Sequence, residues 1–189
     1  MRNSVVRVRQ RNTWTLLAVV LVVTNVWAGA HEKVLHNFNG KSGGNPGAGL
    51  IFDGAGNLYG TTTIGGHNNG GGTVYELTSK RGGGWTMNVL YTFQGDGRGG
   101  TIPEECVTRD NAGNLYGTTE SGGAYGDGVV FELMPEPGGG WKEKVLHYFN
   151  GKDGDQPNDT LAIDPAGNLY GTTYLGGAEN YGVIFEIIP

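Results

Sequence analysis

The hexapeptide Asn-Leu-Tyr-Gly-Thr-Thr occurs three times in this sequence, as Asn57–Thr62, Asn114–Thr119 and Asn168–Thr173. Successive copies begin 57 and 54 residues apart. A second motif, Val-Leu-x-x-Phe, keeps almost the same spacing, and so does a third, in which an aromatic residue precedes glutamate. Three independent motifs with one period indicate a tandem repeat protein. The second motif begins at Val34, Val89 and Val145, and the third at Val74, Val130 and Ile184.

Each period contains four short runs that favour β-strands. Run A lies just before the hexapeptide, run B is the hexapeptide, run C is the motif with glutamate, and run D contains Val-Leu-x-x-Phe. All four are rich in β-branched and aromatic residues, as strands are. Their order along the chain is D, then A to D twice, then A to C. The sequence therefore predicts an all-β fold of three four-stranded, antiparallel, blade-like units.

The first run D, Glu32–Phe38, precedes all the other runs, and the last unit has no run D of its own. We expect this N-terminal strand to complete the last sheet by pairing beside the run C that begins at Ile184. Such closure would protect two sheet edges that otherwise promote aggregation.

Four-stranded units of this length are typical of β-propeller blades. Because propellers have roughly four to eight blades, three blades leave three alternatives open. Two chains can form a six-bladed ring as a homodimer. The three sheets can instead pack in a three-fold, β-prism-like arrangement, or the chain can be a fragment of a longer repeat array.

An Asp-x-Ala-Gly-Asn connection joins runs A and B in every copy, beginning at Asp53, Asp110 and Asp164. The aspartate side chain can accept hydrogen bonds from nearby backbone amides, and the glycine can adopt the left-handed conformation of a tight hairpin. We therefore interpret the recurring aspartate as a turn residue. We interpret the recurring glutamate of run C as a cross-strand partner of Lys33 or Lys144 on run D. The alternative is a ring of carboxylates at a central channel.

Residues 1–30 have the features of a secretory signal peptide. Four arginines lie near the start, an apolar stretch spans Trp14–Trp27, and Ala28-Gly29-Ala30 provides a small-residue cleavage site. The apolar stretch is shorter than the roughly 20 residues of a membrane-spanning helix. We expect cleavage before His31, a repeat domain of residues 31–189, and a secreted, periplasmic or cell-surface location.

Removal of the leader changes the charge balance. The mature chain keeps nine basic residues (13 minus four) against 18 acidic ones, so its net charge is −9. An acidic surface repels phosphate backbones, which argues against a nucleic-acid partner. Cys106 is the only cysteine, so an internal disulfide is excluded. Motifs for a nucleophile, a metal or a phosphate are missing, and the sequence predicts no catalytic residue, no metal site, no cofactor and no membrane span in the mature chain.

The pattern Asp-x-Ala-Gly-Asn-Leu-Tyr-Gly-Thr-Thr, followed by Gly-Gly, the glutamate motif and Val-Leu-x-x-Phe, resembles the GloVer tandem repeat. Proteins called choice-of-anchor tandem repeat GloVer-containing proteins carry it. The resemblance extends from about Glu32 to Ile188. It implies a secreted or surface-anchored bacterial protein of propeller-like repeats without an established activity. This chain is short and lacks the C-terminal anchor of that family, so we expect free secretion.

The B–C and D–A connections should lie at one end of the units, which we call the loop face. They differ between copies, and function on a rigid scaffold usually resides in such loops. Aromatic, asparagine and aspartate side chains suit a sugar, although the same glycine-rich loops can be turn chemistry alone. The candidate ligand-binding residues are His67, Asn68, Asn69, Asp96, Arg98, Tyr125, Asp127, Asp153, Asp155, Asn180 and Tyr181.

These features favour a secreted, non-enzymatic binding or surface module for a polysaccharide or an envelope protein. The alternative is an extracellular lyase or hydrolase with its site on the loop face. Clustering of Asp127, Asp153 and Asp155 with a histidine would favour the enzyme. A third hypothesis is a purely structural surface protein.

Overall fold

The computed structural model describes residues Gly29–His67, Gly70–Gly95 and Gly99–Pro189. The predicted signal peptide, residues 1–30, lies outside the described residues except for its last two positions. The chain divides into the units Met1–Lys33 and Val34–Pro189. Residues 29–33 of the first unit have no regular secondary structure, and all the strands that the structure describes belong to the second unit. Within the described residues no helix has the length and hydropathy that crossing a membrane requires.

The second unit is all-β. Its antiparallel strands form two four-stranded sheets, one three-stranded sheet and one two-stranded ribbon. In chain order the strands are β1 (Ile51–Phe52), β2 (Leu58–Thr62), β3 (Thr73–Ser79), β4 (Trp85–Thr92), β5 (Gly100–Thr101), β6 (Thr108–Arg109), β7 (Leu115–Thr119), β8 (Ser121–Gly122), β9 (Val129–Pro135), β10 (Trp141–Tyr148), β11 (Ala162–Ile163), β12 (Leu169–Thr172) and β13 (Ile184–Ile187).

The sheets follow the order of the sequence runs. Sheet 1 is β1-β2-β3-β4, sheet 2 is β6-β7-β9-β10 and sheet 3 is β11-β12-β13, so runs A to D lie side by side in each of the first two sheets. The ribbon pairs β5 with β8. The prediction of antiparallel sheets built from these runs is confirmed, and none of the sheets is closed.

The glycine of the hexapeptide makes room for an aromatic ring. Gly117 lies directly opposite Phe131 in sheet 2, and a Cβ atom at Gly117 would be 2.6 Å from the Phe131 Cζ atom. The same pairing places Tyr75 over Gly60 in sheet 1. The glycine of run B and the aromatic residue of run C are therefore two halves of one packing arrangement.

Each sheet has two unlike faces, and one face of each sheet packs on the other kind of face of the next sheet in the chain. The tyrosine face carries the tyrosine of run B and the first aliphatic residue of run C, such as Tyr59 and Val74 in sheet 1. The leucine face carries the leucine of run B and the aromatic residue of run C, such as Leu115 and Phe131 in sheet 2. Tyr59 and Val74 share a hydrophobic core with Leu115 and Phe131.

The contact between the second and third sheets repeats this arrangement. Tyr116 and Val130 from the tyrosine face of sheet 2 share a core with Leu169 of sheet 3, and Phe185 packs against it. The tyrosine face of one sheet is thus covered by the leucine face of the next. Because all these groups are apolar and largely removed from water, the hydrophobic effect holds the sheets together.

The prediction that Glu32–Phe38 completes the last sheet is wrong. These residues form no strand, and sheet 3 ends at β13. Leu35 and Phe38 instead pack on the leucine face of sheet 1, where the Phe38 and Tyr75 rings meet edge to face at 5.3 Å. The phenylalanine at the end of each run D packs on the aromatic residue of the sheet that follows it in the chain. Phe38 keeps this contact without the strand pairing of the other two run D segments, because the contact does not require the first and last sheets to meet.

Candidate functional site

The D–A and B–C connections meet at one end of each sheet, as expected for the loop face. Backbone pairing joins Gly44 to Ile64 beside sheet 1, and β5 to β8 beside sheet 2. Asp155 pairs with Leu175 beside sheet 3. Because these bonds recur at equivalent places, the backbone of the loop face is held by a repeated frame and not by chance contacts.

Further backbone hydrogen bonds join neighbouring repeats across the loop face. The Ile102 amide donates to the Gly71 carbonyl at 2.7 Å, and the Gln156 amide donates to the Asp127 carbonyl at 3.1 Å. The equivalent residue of the first repeat is Asn45, whose carbonyl accepts a bond from the Thr63 amide at 3.2 Å. Asn45, Ile102 and Gln156 all precede proline, and all three have a left-handed backbone, although only Ile102 and Gln156 bond to a preceding repeat.

That left-handed position is a feature that sequence reasoning missed. Its φ angles are 55°, 62° and 54° at Asn45, Ile102 and Gln156. Asparagine tolerates this conformation, whereas a β-branched residue such as isoleucine adopts it rarely and at a cost. The recurring x-Pro pair was the only sequence signal, and it does not specify the sign of φ.

Two of the predicted loop residues present aromatic rings to solvent. Tyr125 is 66% exposed and Tyr181 is 91% exposed. Both lie on B–C connections that the backbone frame holds. Asn180 beside Tyr181 has a left-handed backbone, and its Oδ1 atom accepts a hydrogen bond from the Gly176 amide at 3.0 Å. Asn180 therefore acts as a turn residue, while the two rings have no such internal role.

Among the predicted acidic residues, Asp127 and Asp155 influence one another, and Asp153 contacts a histidine. Burial, followed by the nearby negative charge of Asp127, raises the pKa of Asp155. Asp153 contacts His147, with 3.2 Å between the Asp153 Oδ2 and His147 Nε2 atoms, and its Oδ1 atom accepts a bond from the Asn150 amide. In the part of the chain that the structure describes, no group of three or more side chains is arranged to hold a metal ion.

The remaining predicted residues give no geometry for a site. His67 is exposed at the edge of the loop face. Asn68, Asn69, Asp96 and Arg98 lie outside the described residues, so their predicted role stays a prediction.

The opposite end of the sheets carries a polar network in every repeat. In sheet 2 the Asp110 Oδ1 atom accepts bonds from the Gly113 and Asn114 amides at 2.7 and 2.8 Å. Its Oδ2 atom lies 3.2 Å from the Tyr116 hydroxyl, which is also 3.1 Å from the Glu132 Oε1 atom. The interpretation of the aspartate as a turn residue is confirmed, and the left-handed glycine of the turn is found at all three copies.

The glutamate of run C has two partners. Glu132 lies opposite Lys144 in the strand register, and their charged atoms are 3.6 Å apart, which confirms the predicted cross-strand pair. The contact between Glu132 and the Tyr116 hydroxyl was not predicted, because it depends on the register between β7 and β9, which the sequence alone does not reveal. Burial and the Glu132 and Asp110 charges raise the pKa of Tyr116 to about 12, against the lowering effect of Asn114.

The same turn shifts the pKa of its aspartate. Burial alone would raise the pKa of Asp53, but hydrogen bonds from the Asn57 amide and side chain, the Ala55 amide and the Tyr59 hydroxyl outweigh burial and lower it. The carboxylate is therefore committed to the turn. It has little capacity left to bind a ligand.

An open groove of about 490 Å³ separates the A–B turns of the second and third repeats. Arg109 lines one side, and Pro165 and Ala166 line the other. Asp110 and Asp164 also border it, but both are engaged by their own turns. The groove therefore offers a single cationic side chain and little else that would select a ligand.

A family model described as the Gloeobacter/Verrucomicrobia repeat matches residues 69–189. The match covers 121 of the 189 residues. The chain belongs to this repeat family. No curated protein matches the sequence.

The GloVer repeat assignment agrees with the resemblance seen in the sequence. The matched segment begins in the B–C connection of the first repeat and includes everything from β3 to the end of the chain. It therefore contains the exposed rings of Tyr125 and Tyr181 as well as the A–B turn networks of the second and third repeats. The features shared by the three repeats of this chain are the turn and the hexapeptide, and these are structural. Differences in chemistry lie on the loop face.

Proposed function

We propose that this chain is a secreted, propeller-like repeat protein that binds an uncharged extracellular polysaccharide through its loop face, without catalysing a reaction. The observation that carries this proposal is the exposure of the Tyr125 and Tyr181 rings on loops whose backbone is held by the recurring frame. A propeller-like arrangement is supported by sheets that pack face to face in chain order.

Physical chemistry explains why a polysaccharide suits this surface. The apolar face of a sugar ring can lie against an aromatic side chain, and rigid loops lose little entropy when they bind. Asp127 and Asp155 lie in the same set of loops, and their oxygens can accept hydrogen bonds from hydroxyl groups. Because the mature chain has a net charge of −9, it would repel anionic polymers, which favours an uncharged ligand over an acidic one.

Binding can be tested by co-sedimentation with insoluble uncharged polysaccharides and by retardation in gels that contain soluble ones. We expect Tyr125→Leu and Tyr181→Leu each to weaken binding several-fold, because each removes one ring face. Phe52→Leu is the matched control, since Phe52 is 69% exposed beside an A–B turn at the opposite end. Equal losses in all three variants, or no binding to any uncharged polysaccharide, would refute the proposal.

Secretion is tested separately. We expect the exported protein to begin at His31, and intact mass measurement of the protein recovered outside the cytoplasm would show it. A recovered protein that keeps residues 1–30 would refute cleavage before His31, and a protein that stays in the cytoplasm would refute secretion. Neither result would refute polysaccharide binding.

One observation favours an extracellular hydrolase or lyase as a second candidate. Burial and the neighbouring negative charge of Asp127 raise the pKa of Asp155, which is the direction that a proton-donating carboxyl group requires. The enzyme hypothesis expects polysaccharide chains to be cut, with the Asp155→Asn variant inactive. An assay for new chain ends after prolonged incubation separates it from simple binding.

A further inference from the structure

The tyrosine face of sheet 3 differs from its two counterparts because nothing among the described residues covers it. Val74 and Val130, which occupy the equivalent position in sheets 1 and 2, are fully buried. Ile184 is 85% exposed. The residues that cover the first two faces come from the leucine face of the next repeat. The two covered tyrosine faces therefore indicate that a leucine face would fit the exposed tyrosine face of sheet 3.

A leucine face without a preceding sheet is present at the other end of the described fold. In sheet 1 it carries Leu58, Tyr75 and Leu77, with Leu35 and Phe38 packed over part of it. An apolar groove of about 350 Å³ remains there. Val34, Leu50 and Phe52 are 61%, 47% and 69% exposed around this end.

The open edge of β13 and the unpaired segment Val34–Phe38 are also complementary in their backbones. In sheet 2, run D pairs with run C so that Val145 lies opposite Phe131 and His147 lies opposite Val130. On the described residues, β13 pairs only with β12, so one of its edges is open. Val34–Phe38 has the run D sequence, contains Val34 and His36 at the matching positions, and pairs with no strand.

The left-handed residue before each proline of the loop face also favours a repeat from another chain at this position. Ile102 and Gln156 use their left-handed backbones to donate an amide hydrogen to the B–C connection of the preceding repeat. Asn45 has the same left-handed backbone although the described residues contain no repeat before it. In the third repeat the acceptor equivalent to the Gly71 and Asp127 carbonyls is the carbonyl of Tyr181.

We propose that a second copy of this chain docks head to tail, with the leucine face of its sheet 1 on the tyrosine face of sheet 3. Its Val34–Phe38 segment pairs with β13 as the fourth strand, with Val34 opposite Phe185 and His36 opposite Ile184. Its Asn45 amide donates to the Tyr181 carbonyl. The interface reproduces the two contacts already present within the chain.

Two such interfaces can close a pair of chains. Head-to-tail contacts form a ring when the rotation per subunit closes and an open filament when it does not. Two chains supply six sheets, and rings of roughly four to eight blades are the usual size. The proposal therefore predicts a particle of two chains.

The test is the particle mass of the purified full-length chain by size-exclusion chromatography with light scattering, over a range of concentrations. We expect twice the mass of one chain. Ile184→Asp should halve that mass without unfolding the chain, because Ile184 is already exposed in the single copy. Tyr125→Asp, which adds the same charge at an exposed side chain away from this face, should leave the mass unchanged.

A mixing experiment tests the head-to-tail geometry itself. Val34→Asp damages only the head, and Ile184→Asp damages only the tail, so each variant alone should be a single chain. An equimolar mixture restores one intact interface and should give two-chain particles. A wild-type chain that stays single at every concentration, an Ile184→Asp variant of unchanged mass, or a mixture that stays single would each overturn the proposal.

Discussion

Gly117 lies opposite Phe131 in sheet 2, and replacing it with alanine places a methyl group where the ring already is. The added Cβ atom would be 2.6 Å from the Phe131 Cζ atom and 3.0 Å from Cε1, whereas carbon atoms in contact are about 3.5–4.0 Å apart. The ring cannot move freely, because it is fully buried and meets Phe93 of the first repeat at 5.0 Å. Relief of the clash must disturb the contact between sheets 1 and 2.

The size of the effect follows from two opposing terms. Overpacking a core costs about 1–3 kcal/mol. Alanine is intrinsically better than glycine in a strand by about 0.5–1 kcal/mol, through the smaller entropy of the unfolded chain. We therefore expect Gly117→Ala to lower the free energy of unfolding by about 1–2 kcal/mol, which is a large part of the roughly 5–15 kcal/mol of a typical domain. Urea unfolding followed by tryptophan fluorescence measures it.

Two further variants show whether the clash is the cause. At Gly54 an added Cβ atom meets nothing within 4 Å and the backbone is not left-handed, so Gly54→Ala should be neutral or slightly stabilising. Phe131→Leu shortens the opposing side chain, so Gly117→Ala should cost less in that background than in the wild type. The reasoning is refuted if Gly117→Ala is as stable as the wild type, or if its cost is the same in both backgrounds.

Three predictions concern titratable groups. Because the pKa of Asp53 is lowered, its carboxylate stabilises the fold at pH values above the unfolded pKa near 3.9. The urea midpoint of the wild type should therefore fall more steeply than that of Asp53→Asn as the pH drops below about 5. Parallel plots of urea midpoint against pH would contradict this. Because the pKa of Tyr116 is raised, the protonated hydroxyl stabilises the fold below pH 10, and this stabilisation is lost as the pH rises through about 12. The difference in 295 nm absorbance between wild type and Tyr116→Phe should therefore show no ionisation near pH 10. Burial, followed by the Glu105 charge, raises the pKa of Cys106, so this thiol should react with a disulfide reagent at pH 8 only as fast as the chain opens.

The features that the sequence predicted well are local ones. The turn at Asp53 is specified within five residues, because the carboxylate accepts the amides of Ala55 and Asn57 and a glycine provides the left-handed position. The strands follow from short runs of strand-favouring residues that recur at one period. The hydroxyl contact of Tyr59 with Glu76, by contrast, spans 17 residues and depends on the register of two strands, which no local pattern states.

The prediction for the position of Val34–Phe38 was wrong for a related reason. The segment has the sequence of run D, and within one repeat run D always pairs with the run C before it. Pairing with β13 in the same chain would also require the rotation between successive sheets to bring the two ends together, and no single repeat encodes that rotation. Phe38 instead keeps its contact with the following sheet through Tyr75, because that contact needs no closure.

The third repeat separates what a GloVer repeat achieves alone from what its neighbours add. It has no run D in the described sheet, and no described residue covers its tyrosine face. The Tyr170 hydroxyl nevertheless lies 2.8 Å from Glu186 and 3.2 Å from Asp164. In sheet 2 the same contacts are 3.1 and 3.2 Å although Tyr116 is buried. Because cover changes these distances so little, the network is intrinsic to the repeat, and stability divides into a term for each repeat and a term for each contact between sheets. Substitutions in the turn should therefore weaken any repeat about equally, whereas substitutions on the tyrosine face should matter only where a leucine face covers it.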